Sequence, residues 1–309
     1  LPEIVESRHK STGLGTIMLQ KIATAYPKGL ALIQIARLDK PIGIYLLLWP
    51  TLTALWIAAE GFPGWHLLFV FAVGTVLTRS AGCIINDIAD KDFDGRVKRT
   101  RARPLATGVA STKDAMFLLA ALLFLALLIV LSTNGLTLSL AAGAVMVGGV
   151  YPFMKRHTHL AQLVLGVAFS FGIPMSFSAV LNEIPHIAWL LALANVFWTV
   201  AYDTQYAMVD RDDDLELGLR STAILFGDMD KLMIGMLQFL CLFTWFMINR
   251  QLDLGWPFYF AMLIASLLFI YHQWLIKDRE RADCFKAFLN NHWVGATLFL
   301  SIVTHYSLV

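Results

Sequence analysis

Long apolar runs separated by short polar stretches set the pattern of this chain. Nine such runs occur, at about 41–59, 65–85, 114–132, 135–153, 160–181, 187–209, 232–249, 255–276 and 287–307. A hydrocarbon layer about 30 Å thick takes roughly 20 residues of helix to cross. The runs are continuous and rich in Leu, Ala and Phe, without the strict alternation of a β-barrel strand, so they predict helices. The expected fold is all-α and polytopic: a bundle of nine transmembrane helices occupying 41–309. Ahead of it, residues 1–40 mix polar and apolar positions without a signal-peptide pattern. They predict a cytoplasmic N-terminal segment carrying an amphipathic helix over about 14–38.

Composition agrees with a membrane solvent. Of 309 residues, 58% are hydrophobic and 15% charged, against about 25% charged in a soluble domain. A net charge of +2 gives no footprint for nucleic acid, and no such partner is expected. Cys83, Cys241 and Cys284 are odd in number and widely spaced, which suggests neither a disulfide framework nor a zinc site. The histidines, including His157, His159 and His272, make no metal-like spacing. Where the charges fall is more informative. The N-terminal segment and the loops after the second, fourth, sixth and eighth runs hold 22 of the 24 lysines and arginines. The opposite loops hold only Arg250, and Arg79 lies inside the second run. Basic loops stay in the cytoplasm, so the N-terminus is expected inside and, after nine spans, the C-terminus outside.

Two of those basic loops also carry acids. The second run passes into Asn86, Asp87, Asp90, Asp92 and Asp94, and the sixth into Tyr202, Asp203, Tyr206, Asp210, Asp212, Asp213 and Asp214. If each stretch continues the preceding helix at about 100° per residue, Asp90, Asp94 and Asp87 fall about 40°, 80° and 100° from Asn86, while Asp92 falls at about 240°. In the second stretch Asp213, Tyr206, Asp210, Asp203 and Asp214 fall within about 120° of Tyr202, and Asp212 turns away. Like charges one turn apart repel, so two such stripes call for a cation. Mg²⁺ fits, because it takes oxygen ligands and bridges a few carboxylates to phosphate oxygens. Two such stripes facing each other could hold a diphosphate through more than one Mg²⁺. The bland alternative is a set of solvated loop acids, the class assigned to Asp92 and Asp212. A divalent-cation transporter would also use paired acids, but such sites usually lie near the membrane midplane on broken helices.

Several basic and aromatic residues join these acids. An arginine within a span is costly and faces a cavity or a partner, so Arg79 either meets a ligand or makes a structural ion pair. Lys155 and Arg156 end the fourth run, where basic residues ordinarily anchor a helix end. Interfacial tyrosines such as Tyr202 and Tyr206 are common too, though their ring faces suit a cation. Lys98, Arg99, Arg101 and Arg103 read mainly as orientation signal and lipid-headgroup contact, with one side chain available to close over an anion. Gly143, Gly148, Gly149, Gly166 and Gly172 read as close helix packing.

At the acid motifs the chain resembles the UbiA superfamily of intramembrane prenyltransferases. NDxxDxxxD reads Asn86, Asp87, Asp90, Asp94, and the second motif ends Asp210 to Asp214. RLDKPIG (37–43), YPFMKRHTHL (151–160) and AYDTQYAMVDRDDD (201–214) are similar to the branch that acts on 4-hydroxybenzoate; Ala161, where proline is expected, is one departure. The resemblance implies a bundle around a central cavity with a side opening to lipid. It further implies Mg²⁺-dependent transfer of a prenyl group from polyprenyl diphosphate to 4-hydroxybenzoate, ortho to the hydroxyl, in ubiquinone biosynthesis. On that basis Asn86, Asp87, Asp90, Asp94, Asp203, Asp210 and Asp214 are the candidate catalytic residues, with Asn86, Asp90 and Asp94 from one side and Asp210 and Asp214 from the other as the metal ligands, at the cytoplasmic mouth of a protein in a bacterial inner membrane. Arg37, Lys40, Arg79, Lys155, Arg156, Tyr202 and Tyr206 are the candidate substrate contacts, with Arg156 on the benzoate carboxylate and Asp203 on the phenol. A relative with another aromatic acceptor, from a menaquinone or haem pathway, shares the same motifs.

Overall fold

The computed structural model describes residues 27–309. The expected amphipathic helix over 14–38 lies largely outside them; its described end is a short helix, α1, Pro27–Ile35. The chain continues as α2 Ile42–Ala58, α3 Trp65–Ala89, a single turn α4 Lys91–Asp94, α5 Thr112–Val130, α6 Gly135–Met154, α7 Ala161–Ser170, α8 Gly172–Leu181 and α9 His186–Glu216. A short α10 Thr222–Phe226 precedes α11 Asp230–Leu252, α12 Gly255–Leu275 and α13 Arg281–Leu308. Every apolar run is therefore helical, and the protein is an all-α polytopic membrane protein. Among the described residues, seven helical segments are long and apolar enough to cross a membrane. The 17-residue α2 and the more polar α13 fall outside those seven.

Local chemistry sets the ends and the breaks. Ser111 starts α5 with a reciprocal capping box, its hydroxyl accepting from the Asp114 N–H and its own N–H donating to the Asp114 carboxylate. Asn134 caps α6 by accepting from Thr137 N–H. The run at 160–181, expected as one helix, is divided at Phe171. Pro174 has no N–H for the Ser170 carbonyl, and the Ser170 hydroxyl bonds back to Gly166 O at 2.7 Å; both effects loosen that turn. Gly172 follows the break and lies directly against the Thr51 side chain, so α8 packs on α2 with no room for a Cβ.

Helix α9 is the centre of the bundle, with 61% of its apolar window buried, whereas α5 and α6 bury 6% and 11% of theirs. Helices α7, α11 and α13 pack around α9, and α2 closes against α13, α8 and α3. The peripheral pair α5 and α6 touch one another only lightly. In the core, Trp198 Nε1 donates to Asn291 Oδ1 at 3.0 Å and Asn291 Nδ2 to Gln205 Oε1 at 2.9 Å, joining α9 to α13. A methyl group on Gly295 of α13 would stand 2.7 Å from Trp198 and 2.8 Å from Trp49. Overpacking of this kind costs about 1–3 kcal/mol, so Gly295→Ala should lower the thermal unfolding midpoint in detergent by about 5 °C. An unchanged midpoint would mean the two indoles can move apart.

The basic loops meet at one end of the bundle. Arg99 reaches Asp210, Lys155 reaches Asp90, the Arg220 N–H donates to Lys155 O at 2.9 Å, and Arg281 pairs with Asp213 at 3.1 Å. Arg37 joins them through Asp87 at 2.8 Å. The segments after the second, fourth, sixth and eighth runs thus share a face with α1, as charge counting required.

Candidate active site

One cavity of about 1490 Å³ gathers both acid motifs. Asn86, Asp87, Asp90 and Asp94 line it from α3 and α4, and Asp203, Asp210 and Asp214 from α9. The second stretch is one continuous helix to Glu216, as its spacing required. The first departs from a straight helix: α3 ends at Ala89, Asp90 takes the C-cap position, and Asp94 closes the single turn α4 with its N–H on the Asp90 carbonyl at 2.8 Å. Asp92 and Asp212 are exposed, in line with the angular reading. Asp213, which that reading left on the stripe, instead faces Arg281, so α9 is tethered to the start of α13. A second tether is Asp230, fully buried between Arg211 and Arg279.

The basic side chains are more engaged than the sequence suggested. Asp87 is held by Arg37 at 2.8 Å and Arg103 at 3.0 Å; Arg103 also reaches Asp94 at 2.8 Å. Lys155 pairs with Asp90. Arg99 pairs with Asp210 and lies 4.6 Å from the centre of the Tyr206 ring. Arg37 adopts the left-handed conformation (φ 56°) and donates to Gln34 O at 2.7 Å, a strained geometry that points its guanidinium at Asp87. Lys40 is exposed at the cavity rim. The loop carrying Arg99 and Arg103 is a packed unit: Val97, Leu105 and Ala110 are buried, and the Thr100 hydroxyl donates to Asp94 O at 2.9 Å.

Deeper in the cavity the surroundings change. Arg79 lies about two helical turns, ~10 Å, below Asn86 on the same stripe. Among the described residues it has no carboxylate partner; Nη1 donates to Cys83 Sγ at 2.6 Å, the guanidinium lies 5.7 Å from the Phe169 ring centre, and Nε is buried without a partner. Tyr202 is buried, with its hydroxyl also unpartnered and its ring edge-on to Trp198 at 5.3 Å. Tyr206 stacks 4.5 Å from Phe288. Below them the lining turns apolar, with Val70, Phe71, Leu127, Leu138, Val145 and Met175. Gly148 and Gly149 belong to this wall and face open space, so they are not packing glycines, whereas Gly166 does meet Val196 at 3.4 Å. Arg156 lies outside the cavity lining; its guanidinium donates to the Ala89 carbonyl at the end of α3.

The donor set fits a hard cation. It consists of carboxylate and amide oxygens, the ligands Mg²⁺ prefers, and Asp90 Oδ1 is buried without a hydrogen-bond partner. Burial pushes the Asp90 carboxyl above the ordinary carboxylate range, against the pull of Lys155, so added positive charge beside it is favoured. Among the described residues, no three His, Cys, Asp or Glu side chains converge into a ready-made cage. Mg²⁺ is commonly held in this way, by one or two carboxylates plus substrate phosphates.

A sequence model of the UbiA prenyltransferase family matches residues 47–302. The chain belongs to the UbiA prenyltransferase family. Family relatives include a 4-hydroxybenzoate octaprenyltransferase of Pseudomonas aeruginosa, 51% identical over 94% of this chain and 98% of that protein. Another, from Aeromonas hydrophila, is 53% identical over 90% of this chain and 97% of that protein. Among solved structures, a UbiA homolog from Aeropyrum pernix K1 superposes with a TM-score of 0.75 at 24% identity, covering 86% of this chain and 98% of that one. A UbiA homolog from Archaeoglobus fulgidus bound to GPP and Mg²⁺ gives 0.68 at 16% identity, covering 89% and 99%. At those identities the solved structures establish the shared family fold.

Sequence reasoning underrated Arg99 and Arg103, and it did not single out Tyr151, Phe169 or Phe288, all of which line this UbiA-family cavity. Tyr151 had a signal: it sits one turn before Lys155 on the cavity face of α6. Phe169 and Phe288 had none, since an aromatic on an apolar helix reads equally well as core.

Proposed function

We propose that this chain transfers a long prenyl group from polyprenyl diphosphate to the ring of 4-hydroxybenzoate, ortho to the hydroxyl, as a step toward ubiquinone. The observation that carries this is a single cavity graded from paired acids at its rim, through an arginine with no carboxylate salt bridge among the described residues, to an apolar interior. Relatives named for this reaction, 51–53% identical over nearly their whole length, support the same substrate pair. The rim is assigned to the cytoplasmic face from the asymmetry of basic loops, and the membrane to a bacterial inner membrane from the bacterial sources of the relatives.

In this reading Asn86, Asp90, Asp94, Asp210 and Asp214 hold Mg²⁺ and, through it, the diphosphate. Bound Mg²⁺ supplies neutralisation of the charge that develops as the allylic carbon–oxygen bond breaks. Lys155, Arg99, Arg37 and Lys40 stand at the rim to meet the remaining phosphate oxygens. Tyr206 and Tyr202 line the same stretch of the cavity, where their electron-rich rings favour positive charge developing on the allylic carbon. A new carbon–carbon bond then forms at the ring position beside the hydroxyl, and Asp203 is placed to orient the phenol and receive the displaced ring proton. The carboxylate of the aromatic acid belongs on Arg79, not on Arg156. Among the described residues Arg79 makes no salt bridge to a carboxylate, its Nε is buried without a partner, and it lies about 10 Å below Asn86 along α3. The apolar interior receives the isoprenoid tail and keeps water away from the reacting carbon.

The deciding assay offers membranes containing this chain a labelled prenyl diphosphate with one acceptor at a time. Product is expected with 4-hydroxybenzoate. Product only with dihydroxynaphthoate or haem would move the chain to another branch of the family.

A further inference from the structure

The acids at the rim are already covered by the protein's own cations. Lys155 covers Asp90, and Arg103 covers Asp94 and shares Asp87 with Arg37. The cover over Asp210 in the second motif is Arg99, which comes from the loop following the first motif. Its Nε lies 3.0 Å from each oxygen of Asp210, and Nη2 also donates to Oδ2. The guanidinium is backed by the Tyr206 ring, and the neighbouring Thr100 is buried and bonded to the Asp94 carbonyl. Both oxygens of Asp210 are therefore engaged by a side chain belonging to the other half of the site.

We propose that Arg99 is an internal counter-ion that covers Asp210 until metal and diphosphate arrive together, and then passes from the carboxylate to the diphosphate. A divalent ion arriving alone has to displace a bidentate, charge-assisted pair and leave the Arg99 guanidinium, whose side chain is 30% exposed, without its anion, which disfavours binding of the metal by itself. A diphosphate provides Arg99 with a new anion while it completes the metal's coordination. Each ligand thus improves the site for the other, a reciprocal coupling carried by one side chain. Arg99 is a positioning residue before substrate arrives and a diphosphate contact afterwards. The inference rests on the diphosphate site proposed above and deepens it.

Metal binding tests the inference without turnover. The full chain in nanodiscs is titrated with Mn²⁺, and free ion is counted by electron paramagnetic resonance. Separately, binding of labelled geranyl thiodiphosphate, which cannot react onward, is measured at saturating Mn²⁺. Arg99→Gln should tighten Mn²⁺ binding in the absence of diphosphate by about tenfold and weaken binding of the diphosphate analogue by about tenfold. Arg99→Lys keeps a charge but loses the fork, and should tighten Mn²⁺ alone by about threefold; it also serves if the glutamine variant does not purify. Unchanged or weaker affinity for Mn²⁺ alone in these variants would overturn the counter-ion role. If the parent protein binds the analogue equally well without metal, it is the metal–diphosphate reading of the site that fails, whatever Arg99 does.

Discussion

Replacing Asp90 with asparagine lowers turnover by at least about a thousandfold while the protein still inserts and purifies. The substitution preserves shape and removes charge, so packing at the end of α3 is kept. What it removes is a buried carboxylate with one oxygen on Lys155 and the other without a partner. Stabilisation of developing charge is commonly worth about 10²–10³ per group, and here the same group also anchors the cation that stabilises the departing diphosphate. Asp210→Ala on the facing helix should show a loss of the same order. Turnover within tenfold of the parent in either variant, measured on purified protein at saturating substrates and Mg²⁺, would remove the acid motifs from the chemistry.

Arg79→Met is expected to raise the KM for 4-hydroxybenzoate by about a hundredfold, since truncating one partner of a buried charged pair costs about 2–5 kcal/mol. The KM for prenyl diphosphate should move by less than about threefold, because Arg79 is some 10 Å from the metal ligands along α3. Methionine keeps the length and apolar bulk against Gly43 and Phe169. Arg156→Ala is the companion measurement. Its guanidinium supports the Ala89 carbonyl outside the cavity, so it should not weaken the aromatic acid selectively. If the pattern reverses, with Arg156→Ala raising the KM for the acid alone, the carboxylate returns to Arg156. If Arg79→Met instead raises the KM for the diphosphate, Arg79 belongs to the leaving group.

Much of the fold was legible because a membrane leaves the backbone few choices. Each apolar run had to be a helix, and the basic residues placed alternate loops on one face. The acid stripe of α9 was legible for the same reason: an uninterrupted helix makes angle a function of residue number. The first motif was less so. Helix α3 stops at Ala89, and only the structure shows Asp94 brought back by a separate turn. The division at Phe171 depends on Pro174 and Ser170 acting on one turn, which a hydropathy pattern does not resolve. Arg37 needed tertiary context, since nothing in the sequence around it demands a left-handed residue. Charge counting treated Arg99 and Arg103 as topology signals because counting has no geometry. Gly148 and Gly149 were misread for a related reason: a small residue that admits a neighbouring helix looks the same in sequence as one that leaves space for a ligand.

The outer pair of helices, α5 and α6, bury little of themselves in the protein and touch each other lightly, yet both contribute side chains to the cavity wall. A chain lodged between such walls can exchange sideways with bilayer hydrocarbon and never enter water. The effective concentration of the isoprenoid is then its mole fraction in the surrounding lipid, not its molarity in the buffer. Diluting the bilayer with inert lipid should act on this protein as lowering substrate does on a soluble one, while the aromatic acid and released diphosphate continue to obey the aqueous phase.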